Sequence, residues 1–127
     1  MAAPNIVSVT DIRGKSNVAN LTNVSSSVIV NPVNSGKVFK INTIMVANID
    51  GVNSGNVNVE LFKFGAQNVA TGVGNTTYFI ADGITVPAKS SLDILSKSLY
   101  LEEGDQIKAN ADANNRLHFI SSFEEIS

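Results

Sequence analysis

The chain has 127 residues, 43% of them hydrophobic and only 16% charged, with a formal net charge of −2. That length fits one domain, and the nine Lys and Arg residues are scattered, which excludes the basic cluster that nucleic-acid phosphates require. No cysteine is present, so disulfides and thiolate metal sites are excluded, and the polar share is filled by Asn, Ser and Thr, which favour strands and turns over surface helices.

Along the chain, short apolar runs alternate with Gly, Asn, Ser, Asp and Pro, and no run keeps helical spacing. Ile6-Val7-Ser8-Val9-Thr10 reads as a first strand that closes near Arg13-Gly14-Lys15, and residues 18–21 read as an irregular segment or short strand. Ser26-Ser27-Val28-Ile29-Val30 reads as a second strand, stopped by Asn31-Pro32, since proline lacks the N–H a ladder needs. Residues 38–48 form the strongest strand, with Phe39, Ile41 and Met45 on one face and Ile44 and Val46 on the other, a pattern that suits a central strand covered on both sides.

Asp50-Gly51-Val52-Asn53-Ser54-Gly55 predicts a long turn joining that strand, as a hairpin, to Val57-Asn58-Val59-Glu60-Leu61. In the latter, Val57, Val59 and Leu61 point inward, and Phe62 and Phe64 are placed on the outer face. Residues 65–75 read as a Gly-, Asn- and Ala-rich loop. Further short strands are predicted at residues 78–80, 84–86, 92–95 and 99–101, followed by the acidic turn Glu102-Glu103-Gly104-Asp105. Residues 106–110 and 117–123 are expected to form a last hairpin around Asp112-Ala113-Asn114-Asn115. The sum is about eight to ten short antiparallel strands, the signature of a single all-β sandwich over residues 1–127, jelly-roll or immunoglobulin-like, with residues 1–5 as an N-terminal arm.

Chemistry is hard to find. His118, the only histidine, sits between Leu117 and Phe119 and reads as a strand residue on the opposite sheet face rather than as a base or ligand. The acidic turn has two readings, a divalent-cation site or a solvated turn with Gly104 at positive φ; the EF-hand spacing is absent, and the turn is the expectation. Glu124-Glu125 reads as a solvated tail. No nucleophile elbow and no phosphate loop occur, so neither an enzyme nor a cofactor or metal site is expected. Residues 1–5 lack the basic and apolar segments of a secretory signal, and no apolar run approaches a membrane span, so synthesis in a host cytoplasm without insertion is expected. The residues that stand out are apolar: Phe62, Phe64, Tyr78 and Phe79 cluster around the Gly-rich loop, and with Ile6 and Val7 they form the candidate interface, the other reading of the aromatics being packing between the sheets.

Five segments carry a resemblance. They are Met1-Ala2-Ala3-Pro4-Asn5-Ile6-Val7, Ser35-Gly36-Lys37-Val38-Phe39-Lys40-Ile41-Asn42, Val46-Ala47-Asn48-Ile49-Asp50-Gly51, Leu99-Tyr100-Leu101-Glu102-Glu103-Gly104-Asp105 and Ser122-Phe123-Glu124-Glu125-Ile126-Ser127. Together they resemble small virion proteins of marine tailed phages, particularly those of cyanobacteria. The resemblance implies a structural part of the particle surface and brings no catalytic residues. A capsid decoration (cement) protein is the first expectation, a homo-oligomer (trimer favoured) on the major capsid protein or other virion proteins. A tail, neck or fibre-associated protein contacting the host surface is the alternative.

Overall fold

The computed structural model describes residues 11–65 and 75–127. Within them the central element is β3 (Val38–Asn48), whose inward side chains are Phe39 and Ile41, then Ile44, Val46 and Asn48. The spacing changes because the register slips between Ile41 and Thr43: Ile41 faces Phe123, Thr43 faces Ser122, and Asn42 is the extra residue of a bulge. A bulge adds one residue to a period-two pattern, so every later side chain changes face. This corrects the expectation that Phe39, Ile41 and Met45 share a face opposite Ile44 and Val46. The outer side of β3 is only half-covered: Met45 and Ala47 are partly exposed there, so within one chain the strand is buried on one face.

The strands are β1 (Ile12–Asn20), β2 (Ser26–Val30), β3, β4 (Gly55–Lys63), β5 (Thr76–Val86), β6 (Ser91–Asp93), β7 (Leu99–Leu101), β8 (Gln106–Ala111) and β9 (Leu117–Ile126). One sheet has the order β1-β9-β3-β6, with β7 also on β3; the other has the order β2-β8-β4-β5. β6 and β7 pair with different parts of β3, Met45 to Ala47 and Phe39 to Ile41, and so act as one interrupted edge strand. Counted that way, the described residues form eight antiparallel strands in two packed sheets with jelly-roll connectivity, which settles the choice against the immunoglobulin-like order.

Both long hairpins expected from the sequence are absent. β3 and β4 lie in different sheets, as do β8 and β9, so the turns at 49–54 and 112–116 carry the chain across the end of the sandwich. The turn residues themselves behave as expected: the Asp50 carboxylate accepts the N–H groups of Val52 and Asn53. Alternation reveals which face of a strand is buried but not which strand lies beside it, and that is where the hairpin expectation fails. Arg13-Gly14-Lys15 is not a turn either; these residues pair in register with Glu125, Glu124 and Phe123 inside β1, which also absorbs residues 18–20. The segments expected at 78–80 and 84–86 are one strand, β5, with slips in its pairing to β4 and with Gly83 at φ 66° donating its N–H to Asn58 Oδ1. The predicted strand at residues 6–10, the arm at 1–5 and most of the predicted loop at 65–75 lie outside the described residues.

Between the sheets, Val57 and Val59 of β4 and Ile107 and Ala109 of β8 meet Ile41, Ile44, Val46, Leu117 and Phe119 of the facing sheet. Each fully buried aliphatic or aromatic side chain here contributes on the order of 1.5–3 kcal/mol. Phe39 and Phe123 stack with ring centroids 5.2 Å apart near the Ile126 end. Among the described residues no helix is long and apolar enough to cross a membrane.

Candidate assembly surface

The aromatic residues singled out from the sequence divide into two groups. Phe62 lies on the outer face of the second sheet, opposite Gln106 on one side and Thr77 on the other. The Lys108 ammonium stands 5.1 Å from its ring centre, a cation–π contact that leaves the ring half-covered. Phe79 is paired with Glu60 one register away, and Tyr78 with Leu61. Both lie on the edge strand β5 and are open to solvent, Tyr78 at 49% and Phe79 at 56% exposure. Phe62 thus lies on the outer face, as expected, and the alternative reading of the aromatics as packing between the sheets is not met by Tyr78 or Phe79. Phe64 has a different job: its ring lies against Gly104 so closely that a Cβ there would sit 2.5 Å from it. Ile6 and Val7, the remaining candidates, lie outside the described residues.

The acidic turn is the larger correction. Gly104 has positive φ (89°), as expected, but Glu103 and Asp105 are buried rather than solvated. A carboxylate leaves water at little cost only where donors replace its hydration; the fold supplies them to both oxygens of Asp105 but to only one of Glu103, whose Oε1 is buried without a partner. Asp105 Oδ1 accepts the Phe64 N–H at 2.9 Å, and its Oδ2 accepts the Glu102 N–H at 3.0 Å and lies 2.7 Å from Lys63 Nζ. Glu103 Oε2 accepts the Gly36 N–H at 2.9 Å. Asn31, also buried, exchanges backbone bonds with this turn: its N–H goes to Asp105 O and its carbonyl accepts from Gly104 N–H. Its side-chain amide donates to the carbonyls of Lys37 and Leu101, and Ser35 Oγ donates to its Oδ1. The cluster ties the ends of β2, β4 and β7 together. Apart from Glu103 Oε1, its buried carboxylate oxygens are engaged with backbone and lysine, and no group of three or more His, Cys, Asp or Glu among the described residues is placed to hold a metal ion.

His118 sits as expected, between the inward Leu117 and Phe119, on the outer face of the first sheet beside Asn20 and Ala47. With Val18 and Ile120 it lines a shallow apolar depression of about 350 Å³. A second, more polar cleft of about 710 Å³ opens between β1 and β2. Its rim holds Glu125, which is not a solvated tail residue. Burial alone would push its carboxyl up, but Lys15 and Lys37, each 3.2 Å away, hold it below the ordinary carboxylate range. Sequence reasoning found neither surface. The only trace of the first was the apolar Val18 and Ile120 at outward positions of otherwise polar stretches; the second is made by the parting of two edge strands, which leaves no mark in one dimension.

No family model and no curated protein matches the sequence. Solved structures do show similarity. One is a chain from a structure of infectious bursal disease virus, Gx strain, at 8% identity and a TM-score of 0.51, covering 93% of this chain and 33% of that one. Another is a chain from a study titled "Bacillus endospore appendages form a novel family of disulfide-linked pili", at 11% identity and a TM-score of 0.44, covering 98% of this chain and 95% of that one. This chain thus spans about a third of the viral chain, and at such identity the likeness extends to the fold: an all-β sandwich shared with a chain of a virus structure.

Proposed function

We propose that the chain is a structural component of a virus particle, acting by repeated surface contacts with copies of itself and with shell proteins rather than by catalysis. Within that reading it is a capsid decoration protein of a tailed phage, trimeric and seated on the outside of the shell. The observation that carries it is the pair of adjacent exposed aromatics, Tyr78 and Phe79, on the edge strand of a sandwich that also leaves Tyr100 and several aliphatic side chains exposed. Large exposed rings are costly to leave wet and are enriched where proteins meet. The jelly-roll shared with a chain of a virus structure supports the same reading. The mechanism is mass action: a protein that binds only the assembled lattice stabilises the lattice, and many weak contacts on one shell act through avidity.

The test is quantitative protein analysis of purified particles together with a density map. Copies in proportion to the shell protein, placed on the shell, are expected. A few copies confined to the tail would transfer the reading to a tail or fibre part, and absence from particles would overturn it.

A further inference from the structure

Edge strands carry unpaired N–H and C=O groups, and natural sheets guard such edges by keeping them short, charged or bulged. Among the described strands, β2, β6 and β7 are guarded by length, at 5, 3 and 3 residues. The edges β1 and β5 are longer, at 9 and 11 residues. Arg13 and Lys15 guard the first half of β1, but residues 16–20 carry no charge and pair with β9 without a slip. Two slips guard β5 from Ile80 onward, but residues 76–79 carry no charge and pair with β4 in continuous register.

Alternation fixes which way the backbone groups point. Asp11 and Ser127 exchange both backbone bonds, so the odd-numbered residues of β1 bond to β9, and Ser16, Val18 and Asn20 turn N–H and C=O to the open side. In the other sheet the Asn56 carbonyl accepts the Asp112 N–H on the β8 side, so Leu61 and Lys63 face β5, opposite Tyr78 and Thr76. Thr77 and Phe79 therefore turn their N–H and C=O outward. The Asn17 side chain donates to Val28 O, which sets β1 over β2 and leaves β5 on the far side of the sandwich. One chain thus carries two open edges, in different sheets, that it cannot join to each other.

We propose that the β5 edge of one copy, at residues 77–79, pairs with the β1 edge of the next, at residues 16–20, so that the second sheet of one runs on into the first sheet of the other. This rests on the reading of the chain as an assembling protein and names the contact that does the assembling. Side-chain complementarity selects a second copy as the occupant. Tyr78 stands opposite Leu61 on the core side and Phe79 opposite Glu60 on the outer side, so the two rings straddle the edge. Whichever face of the neighbouring sheet is uppermost, one ring comes to lie beside Val18, at the rim of the apolar depression that Val18 forms with Ile120 and His118. Pairing like edges leaves something bare: β1 with β1 leaves the rings, and β5 with β5 leaves the depression. Main-chain bonds and side-chain burial then act together, as in other strand additions. One surface of each copy meets a different surface of its neighbour, so the contact closes into a ring, a trimer included, or propagates as an open chain.

Proline tests the edges alone, because at Val18 or Thr77 it deletes an outward N–H and leaves the internal ladder whole. Both residues are exposed, so the circular dichroism of each full-length variant should match the parent's. In light scattering the parent is expected at the mass of three or more chains, and Val18→Pro and Thr77→Pro each at the mass of one. An equal mixture of the two is expected at the mass of two, since the open β5 of the first pairs with the open β1 of the second. A parent at the mass of one overturns the proposal. So does either variant alone at the mass of two or more, or a mixture that stays at one. Val18→Lys and Thr77→Lys, which keep every backbone group and place a charge on the edge, are expected to give the same masses and decide the matter if a proline variant does not fold. Variants that associate as the parent does, with the chain still found on purified particles, sink the edge contact alone, whereas absence from particles sinks the virion reading itself.

Discussion

Lys63 places its ammonium nitrogen 2.7 Å from the carboxylate of Asp105, a side chain with no exposure to solvent at all. The lysine is at the tip of β4, its own side chain 15% exposed, and reaches the acid through the end of the sandwich. Removing one member of such a pair strands the other, so the two substitutions are unequal. Asp105→Ala leaves the Phe64 and Glu102 N–H groups without their acceptor and Lys63 with only Glu102 Oε1, 3.4 Å away, and is expected to cost about 3–5 kcal/mol. Lys63→Met leaves the acid two backbone donors and is expected to cost less, about 1–3 kcal/mol. Urea unfolding of the two variants measures both, and the order Asp105→Ala worse than Lys63→Met is the specific claim.

Gly104 in the same turn is held for two separate reasons, positive φ and the Phe64 ring. Gly104→Ala is expected to destabilise by about 2–4 kcal/mol, backbone strain and overpacking together. The two causes come apart in a double-mutant cycle. In a Phe64→Ala background only the strain remains, so the same substitution should cost less there, with a coupling of about 0.5–3 kcal/mol between the positions. Chemical denaturation of the four proteins reads the coupling directly, and strict additivity would mean that the ring plays no part.

Acid should weaken the fold, and two carboxylates fix where. The Asn53 and Val52 N–H groups hold Asp50 down at about pH 2, and Glu125 is held below the ordinary range by its two lysines, against the opposing effect of burial. A carboxylate whose folded value is depressed stabilises the fold above its unfolded value and loses that contribution as the pH falls through the folded one. Thermal midpoints measured against pH should therefore hold level near neutrality and begin to fall below about pH 4.5. Asp50→Asn should flatten the part of the decline between about pH 4 and pH 2.

The register of β3 yields a prediction and shows what a sequence hides. Deleting Asn42 removes the bulge, so Phe39 and Ile41 can face the core only if Ile44 and Val46 do not. The deletion is expected to abolish cooperative unfolding, whereas Asn42→Ser, which keeps the extra residue, should be nearly neutral; near-ultraviolet circular dichroism and thermal melts separate the two. Strand positions such as β2, β3 and β8 were legible because alternation and Asn, Gly and Pro punctuation are local properties. The bulge was not, since Phe39, Ile41 and Met45 alternate on paper as well as any straight strand. Nor were the strand neighbours, because pairings such as Met45 with Ile120 join residues far apart in the chain. The exposed Tyr78 and Phe79 were visible as aromatics out of place, while Glu103 and Asp105 read as solvated because nothing near them in sequence announces that Lys63, Phe64 and Gly36 will arrive as donors.

Tyr78 and Phe79 separate stability from assembly. Both are exposed, on an edge strand, with β4 on one side and solvent on the other. Replacing Phe79 with Ser removes little that the folded monomer uses, so its stability should change by no more than about 0.5 kcal/mol. If the ring is an anchor between copies or against a shell, the same change removes a large buried area there and should cost about 2 kcal/mol or more of contact, roughly a thirtyfold loss of affinity. Tyr78→Ser should behave alike, and Lys108→Ala, which touches Phe62 rather than Phe79, should weaken assembly less. Light scattering of the purified chain and re-addition to particles stripped of it give the two readouts. Variants that melt at the parent temperature yet fail to assemble or rebind place the rings in the interface; variants that rebind as well as the parent remove them from it.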